Sequence, residues 1–247
     1  MLRRKVIGDA IKVVSLHRPE ARNALSLGLL QELHDTIDTL HTGRDPCRVL
    51  ILDSAVPNIF CAGADLKERK GFDLHQTRLF LKNLRGMLAD LSSLEIPSIA
   101  AIDGPALGGG LELALACDFR ILGKGAVVGL PEVRLGIIPG AGGTYRLRQL
   151  IGATRAKELI LTGRRLDDRE ALRYGIATGL AEEPTLAATQ MAEEICLGAP
   201  LATAAAKQAI DGGVWEDAMY ERVVHSEDRQ EGLKAFSEKR KPHFRGH

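Results

Sequence analysis

The sequence predicts an α/β fold followed by a helical region, and three observations carry that prediction. Short apolar runs alternate with segments of helical periodicity through the first half, and the pattern turns almost purely helical from residue 143. No Ser/Gly-rich linker, low-complexity tract or fixed-period repeat divides the two parts. With 247 residues, 45% of them hydrophobic and 26% charged, the chain can bury a large core as one domain with a small appendage.

The N-terminal stretch "MLRRKVIGDAIKVVSL" passes within a few residues into a strand-like pattern, and it lacks the apolar centre of a signal peptide or a membrane span. We therefore expect neither a targeting segment nor a transmembrane helix. Residues 11–16 (IKVVSL), 48–53 (RVLILD) and 98–103 (SIAAID) read as strands bounded by Pro, Asp or Gly. Between them, Ser26 can cap a helix carrying Leu29, Leu30, Leu33, Ile37 and Leu40, and a second helical stretch runs from about Asp73 to Leu94. Glycines break short strands in 119–132, and helices are expected at 143–151, 155–162, 167–174, 185–197, 201–211 and 215–235. This divides the chain into a core, 1–190, and a C-terminal helical region, 191–247, of the kind that docks on a neighbouring subunit.

Composition removes several function classes. The formal charge is +1 and the cations are spread along the chain, so neither a nucleic-acid footprint nor an anionic-membrane patch is present. Cys47, Cys61, Cys117 and Cys196 form no CxxC pair and read as reduced thiols of an intracellular protein. The seven histidines form no ligand cluster, so no metal is expected. The motifs of P-loop nucleotide hydrolases, zinc proteases and serine hydrolases are all missing. A dinucleotide fingerprint fails as well, because Tyr145 stands where the last glycine after Gly140 and Gly142 would be.

Three stretches can carry chemistry. In "ALGGGLELALACD" (106–118), Gly108, Gly109 and Gly110 let a ligand approach the backbone at a helix start, and Glu112 follows one turn on. The plainer reading is a tight strand-to-helix turn with a favourable acid in the first helical turn. In "FCAGADLKE" (60–68) a second small-residue turn follows a strand, so each loop can offer one N–H to a developing oxyanion, or the two turns are unrelated. In "GLPEVRLGIIPGAGGTYRL" (129–147), Glu132 again sits among apolar residues, either as a paired structural acid or as half of an acid/base pair with Glu112.

Together with "RPEARNALS" (18–26) and "EGLKAFSEKRKPHFRG" (231–246), these stretches closely resemble the enoyl-CoA hydratase/isomerase, or crotonase, family over nearly the whole chain. "CAGADLKER" and "GGGLELALACD" are most similar to the branch of the methylglutaconyl-CoA hydratases and the AU-binding homologue. The resemblance implies a crotonase-like spiral of ββα units with C-terminal helices that build trimers or hexamers. It implies that the N–H groups of Ala64 and Gly109 form an oxyanion hole for an acyl-CoA thioester. Glu112 matches the acid that deprotonates water and Glu132 the acid that protonates C2, so syn hydration of a 2-enoyl-CoA to a 3-hydroxyacyl-CoA follows, with no cofactor beyond the substrate's own coenzyme A. By the same likeness, Arg22 and Ala24 border the nucleotide end, and Leu66 lines the channel near Lys67. Ala62, Asp65, Gly110, Pro131 and Gly140 contact substrate, and Lys239 or Lys241 meets a phosphate.

The chain departs from the family in places. Tyr145 replaces a usual Gln, which bears on packing or on the acyl pocket, and the segment 179–200 is shorter than its counterparts. The helix corresponding to the RNA-binding element of the AU-binding relative, "LGLLQELHDTIDTLHTGRDPCR", has no lysine, so RNA binding is not expected. Alternatives are isomerisation or decarboxylation at the same site, and a non-catalytic RNA-binding or assembly protein. The expected compartment is the cytoplasm for a bacterial source and the mitochondrial matrix for a eukaryotic one.

Overall fold

The apolar runs of the first half become strands covered on both faces, as parallel strands flanked by helices require. The computed structural model describes residues 1–212 and 216–247. β1 (Leu2–Ile7) and β2 (Ile11–Leu16) form an antiparallel hairpin, followed by α1 (Leu27–His41) and β3 (Val49–Ser54). The single turn α2 (Leu66–Arg69), α3 (Leu74–Ser92), β4 (Ser98–Ile102), β5 (Ala106–Leu107) and α4 (Gly109–Leu115) come next. β6 (Phe119–Gly123) and β7 (Val127–Gly129) lead through a 3₁₀ turn, Glu132–Leu135, to α5 (Gly143–Ile151) and α6 (Ala153–Thr162). β8 (Arg165–Asp167), α7 (Asp168–Tyr174), β9 (Gly179–Ala181) and α8 (Pro184–Ile195) precede the final helices α9 (Pro200–Gly212), α10 (Glu216–Val224) and α11 (Glu227–Ser237). None of the described helices is long and apolar enough to cross a membrane.

Helix starts follow local chemistry. Ser26 Oγ accepts from Leu29 N at 3.2 Å, and Asp73 with Gln76 closes a capping box at α3. The one helix expected over 215–235 is instead two, because Ser226 Oγ accepts from Arg229 N at 3.1 Å and opens α11 there; residue 215 lies outside the described residues. β1 escapes the sequence pattern because Arg3, Arg4 and Lys5 are exposed on an edge strand.

Six strands in the order β1-β2-β3-β4-β6-β9 make the main sheet, parallel throughout except for β1. Strict alternation sorts its residues between two cores. Val14, Leu16, Leu50, Leu52, Ala100, Ile102 and Leu122 face α1 and α3, whereas Ile11, Val13, Val49, Ile51, Ile99, Ala101 and Ile121 face Ala188 and Ala192 of α8. A boundary at residue 190 would therefore cut a helix that belongs to the sheet, and the helical tail proper begins with α9.

The expected spiral of ββα units is visible in β4-β5-α4 and β6-β7-turn-α5. The first strand of each pair joins the main sheet, and the second joins a smaller sheet in the order β5-β7-β8. Isolated parallel bridges, Leu25 with Ala64 and Cys61 with Ala106, continue this second layer past the first turn of the spiral.

Candidate active site

Register in the second layer places the site. Cys61 pairs with Ala106, so the residues three further on, Ala64 and Gly109, arrive side by side. Gly63, at φ +99°, turns the chain there, and a Cβ on Gly109 would lie 3.6 Å from Ala64 N. Gly63 O accepts from Leu25 N at 2.8 Å and Asp65 N donates to Leu25 O at 3.0 Å, which leaves the intervening Ala64 N–H directed the other way. Gly109 is the first residue of α4, whose N–H has no intrahelical acceptor. Neither N–H is taken by a described residue, so two donors without an acceptor lie side by side.

One rung further, Leu107 pairs with Gly129, and the chain then delivers Glu132 beside Gly108. Glu132 is buried and its Oε2 has no partner among the described residues. Burial pushes its carboxyl up to about 7; its own backbone N–H opposes this, and the nearby Glu112 charge adds to it. Glu112, buried on α4, is held differently. Its Oε1 accepts from Ala141 N at 2.7 Å and from Gly143 N at 2.8 Å. Burial raises its proton affinity, while those two N–H groups and the charges of Arg146 and Arg85 work to lower it. Arg120, itself buried, secures α4 from behind by donating to the carbonyls of Ala114, Cys117, Asp118 and Ile176.

The structure separates the other expected residues into two groups. Arg22, Ala62, Leu66 and Lys67 are exposed beside the two donors, Pro131 opens the turn that carries Glu132, and Gly140 O accepts from Arg85 Nε at 2.6 Å. Ala24 is buried, with its carbonyl accepting from Arg18 Nη1 at 2.9 Å. Two more have structural contacts of their own. Asp65 is committed to the scaffold, because Oδ1 accepts from Lys67 N and Glu68 N, both at 3.1 Å, and Oδ2 pairs with Arg18 at 2.7 Å. Burial works to raise its pKa, but the Glu68 N–H and Arg18 outweigh it and hold the carboxyl below its ordinary value. Gly110 packs against the backbone of Cys61, so its place is explained by contact between α4 and the 60–64 strand. Lys239 and Lys241 are exposed on the tail that Arg240 pins to Glu231, and neither side chain bonds to the 18–25 or 60–68 loops.

Several supporting residues carry no local signal. Asn23 is fully buried, and its Nδ2 donates to Ser54 Oγ at 2.8 Å and Phe60 O at 2.9 Å while Oδ1 accepts from Arg18 N at 2.7 Å. Its φ of +56° lies in the left-handed region, which Asn tolerates better than most residues. A cavity of about 1460 Å³, lined by neither glutamate, lies between Cys117–Arg120, α5 and the helices α9 and α10. Tyr145 lines that cavity.

Two backbone N–H groups without a partner among the described residues thus lie near two buried glutamates, one held by two amides and the other with an unpartnered oxygen. The chain belongs to the enoyl-CoA hydratase/isomerase family, whose model matches residues 7–247. It is 51% identical to an enoyl-CoA isomerase/hydratase of Zymoseptoria tritici, over 96% of this chain and 84% of that protein. It is 44% identical to methylglutaconyl-CoA hydratase 1, mitochondrial, of Pyricularia oryzae, over 96% of this chain and 83% of that one. The crystal structure of an enoyl-CoA hydratase from Bacillus anthracis superposes with a TM-score of 0.96 at 43% identity, covering 100% of this chain and 99% of that chain, so the fold is the crotonase fold.

Proposed function

We propose that the protein is an enoyl-CoA hydratase that adds water syn across the 2,3 double bond of a 2-enoyl-CoA, giving a 3-hydroxyacyl-CoA. The observation that carries this reading is the unlike pair of glutamates beside the two free amides. Glu112 is fixed through one oxygen by two N–H groups, and Glu132 is buried with an oxygen unpartnered. The thioester oxygen would sit between Ala64 N and Gly109 N, where charge develops as the enolate forms. Glu112 would hold and deprotonate the water that attacks C3. Glu132, whose pKa of about 7 keeps a proton available near neutrality, would deliver one to C2. A reaction that moves only protons and hydroxide across an activated double bond needs no redox cofactor; coenzyme A enters as part of the substrate.

Arg22 and Ala24 would border the nucleotide end of coenzyme A. Ala62, Leu66 and Lys67 would flank its channel, Pro131 and Gly140 the acyl side, with Lys239 or Lys241 of this or a neighbouring subunit on a phosphate. Leu233 and Phe236 are exposed apolar residues on α11, which supports assembly through the C-terminal helices into a trimer or hexamer. Relatives with mitochondrial names support a matrix location for a eukaryotic source, and the cytoplasm remains the proposal for a bacterial one.

One observation favours a narrower substrate. Arg85 uses Nε on Gly140 O, and its two Nη atoms have no partner among the described residues, close enough to Glu112 for its charge to act there. An enoyl group with a distal carboxylate, as in methylglutaconyl-CoA, would find a counter-charge there. The deciding experiment follows loss of the enoyl-thioester absorbance of crotonyl-CoA and 3-methylglutaconyl-CoA, with Glu112→Gln and Glu132→Gln alongside. Glutamate-dependent loss supports hydration, and preference for the dicarboxylic substrate that disappears in Arg85→Gln supports the narrower reading. Wild-type rates in either glutamate variant would remove the proposal, and double-bond migration without water uptake would replace it with isomerisation.

A further inference from the structure

Arg146 sits at the start of α5 with no carboxylate partner among the described residues, yet its guanidinium makes three hydrogen bonds. Nη1 donates to Ala141 O at 3.1 Å, and Nη2 donates to Leu88 O and Ser92 Oγ, both at 3.1 Å. These bonds tie the loop at 139–143 to the C-terminal end of α3. The same loop presents Ala141 N and Gly143 N to Glu112 Oε1. Gly142, at φ +109°, leaves the space the guanidinium fills, because a Cβ there would overlap Nη1. The ring of Tyr145 lies under the guanidinium, 4.9 Å from centroid to Cζ.

We propose that Arg146, laid on Tyr145, is a positioning residue for Glu112, locking the loop whose two amides orient that carboxylate and placing a permanent positive charge behind it. The proposal rests on Glu112 acting as the general base. It also accounts for Tyr145, the residue that departs from the family pattern: a flat ring face supports a guanidinium over its whole plane. The charged groups around Glu112 are Arg146 on α5, Arg85 on α3 and Glu132 on the 3₁₀ turn, and Cys117 and Tyr145 neighbour Arg146 itself. Both cations hold the loop, Arg85 through Gly140 O and Arg146 through Ala141 O, so the loss of Arg146 removes a charge and one of two restraints together.

The test is the pH profile of kcat/KM from about pH 5 to 9, with whichever of crotonyl-CoA and 3-methylglutaconyl-CoA the wild type hydrates faster. Arg146→Met is expected to lower kcat by about tenfold to a hundredfold with little change in KM, the signature of a misplaced base. Its acid limb moves upward by about half a unit to one unit, because Glu112 holds its proton more tightly without the charge. Arg146→Lys returns the limb toward wild type but only part of kcat, since an ammonium cannot span Ala141, Leu88 and Ser92 as the guanidinium fork does. Tyr145→Leu moves the limb in the same direction by less, and Tyr145→Phe, which keeps the ring face, restores it.

An acid limb in Arg146→Met that coincides with wild type overturns the proposal, whatever happens to kcat. If Arg146→Met yields no folded protein, Tyr145→Leu decides, and a wild-type limb there overturns it equally. Glu112→Gln run in parallel separates the two levels: full activity in that variant removes the general base itself, whereas an inactive Glu112→Gln beside an unchanged Arg146→Met removes only the role of Arg146.

Discussion

Replacing Glu132 with Gln should stabilise the protein and disable it, and the pH at which it stabilises follows from the geometry. Burial moves the Glu132 carboxyl from an ordinary 4.5 to about 7, so between those values the folded chain holds a proton that the unfolded chain has released. Stability therefore falls as pH rises through this window, and the full cost is present above it. At about 1.4 kcal/mol per unit, the 4.5-to-7 displacement corresponds to at most about 3.5 kcal/mol. Glutamine, isosteric and uncharged, carries no such cost. Denaturant unfolding of the two proteins below pH 4.5 should give similar free energies, and at about pH 8 the variant should be more stable by about 2–3 kcal/mol. The same variant should lose hydration by about a hundredfold or more, and the wild-type kcat/KM should decline as pH rises through the value of about 7 at which the acid loses its proton. A stability difference that is the same at both pH values would refute the reasoning, because it would mean that Glu132 is not desolvated in the folded chain.

Gly110→Ala should cut kcat by about a hundredfold and cost about 1–3 kcal/mol of stability, because the new Cβ collides with Cys61 O and pushes α4 from the strand that carries Ala64. Adding Cys61→Gly should not rescue it, since the closest contact is backbone; recovery in the double variant would place the clash elsewhere. Asn23→Ala removes three hydrogen bonds behind the Ala64 loop and should cost about 2–4 kcal/mol in thermal or urea unfolding, and a loss below about 0.5 would show that the loops do not depend on it. Arg120→Met should destabilise by a similar amount by leaving buried carbonyls at the end of α4 unpaired, with a fall in kcat as Glu112 loosens; unchanged unfolding and turnover would count against this.

The strands β2, β3 and β4 were readable because nearly every residue is apolar or small, the mark of strands buried on two faces. β1, with its charged edge, and the three-residue β8 and β9 were not, since their pairing is set by neighbours distant in the chain. Glu112 and Glu132 stood out as carboxylates in apolar surroundings, and the structure buries both. Asp65 stood in an equally suggestive motif and proved to be a helix cap paired to Arg18, a distinction only the fold makes. Arg18 reaches Asp65, Asn23 reaches Ser54 and Phe60, and Arg146 reaches Leu88 and Ser92, all partners that sequence spacing does not bring near them. Tyr145 was expected to bear on packing or on the acyl pocket; it lines the cavity beside α9 and its ring lies against Arg146.

The second layer explains why the candidate site and the fold share one origin. Each turn of the spiral lays a short parallel segment beside the last, Cys61 on Ala106 and Leu107 on Gly129, and lets the chain run two or three residues past the pairing before it turns. What emerges at successive rungs is an amide at Ala64, an amide at Gly109 and a carboxylate at Glu132, while α4 returns Glu112 from one turn inside. A slip of one residue in either pairing would reverse which groups face the cleft, since alternate backbone amides point to opposite sides. The register that closes the hydrophobic core thus also sets the spacing of the two donors. Substitutions that disturb it, at Cys61 or Gly110, should lower stability and rate together, whereas those at Glu132 should separate the two.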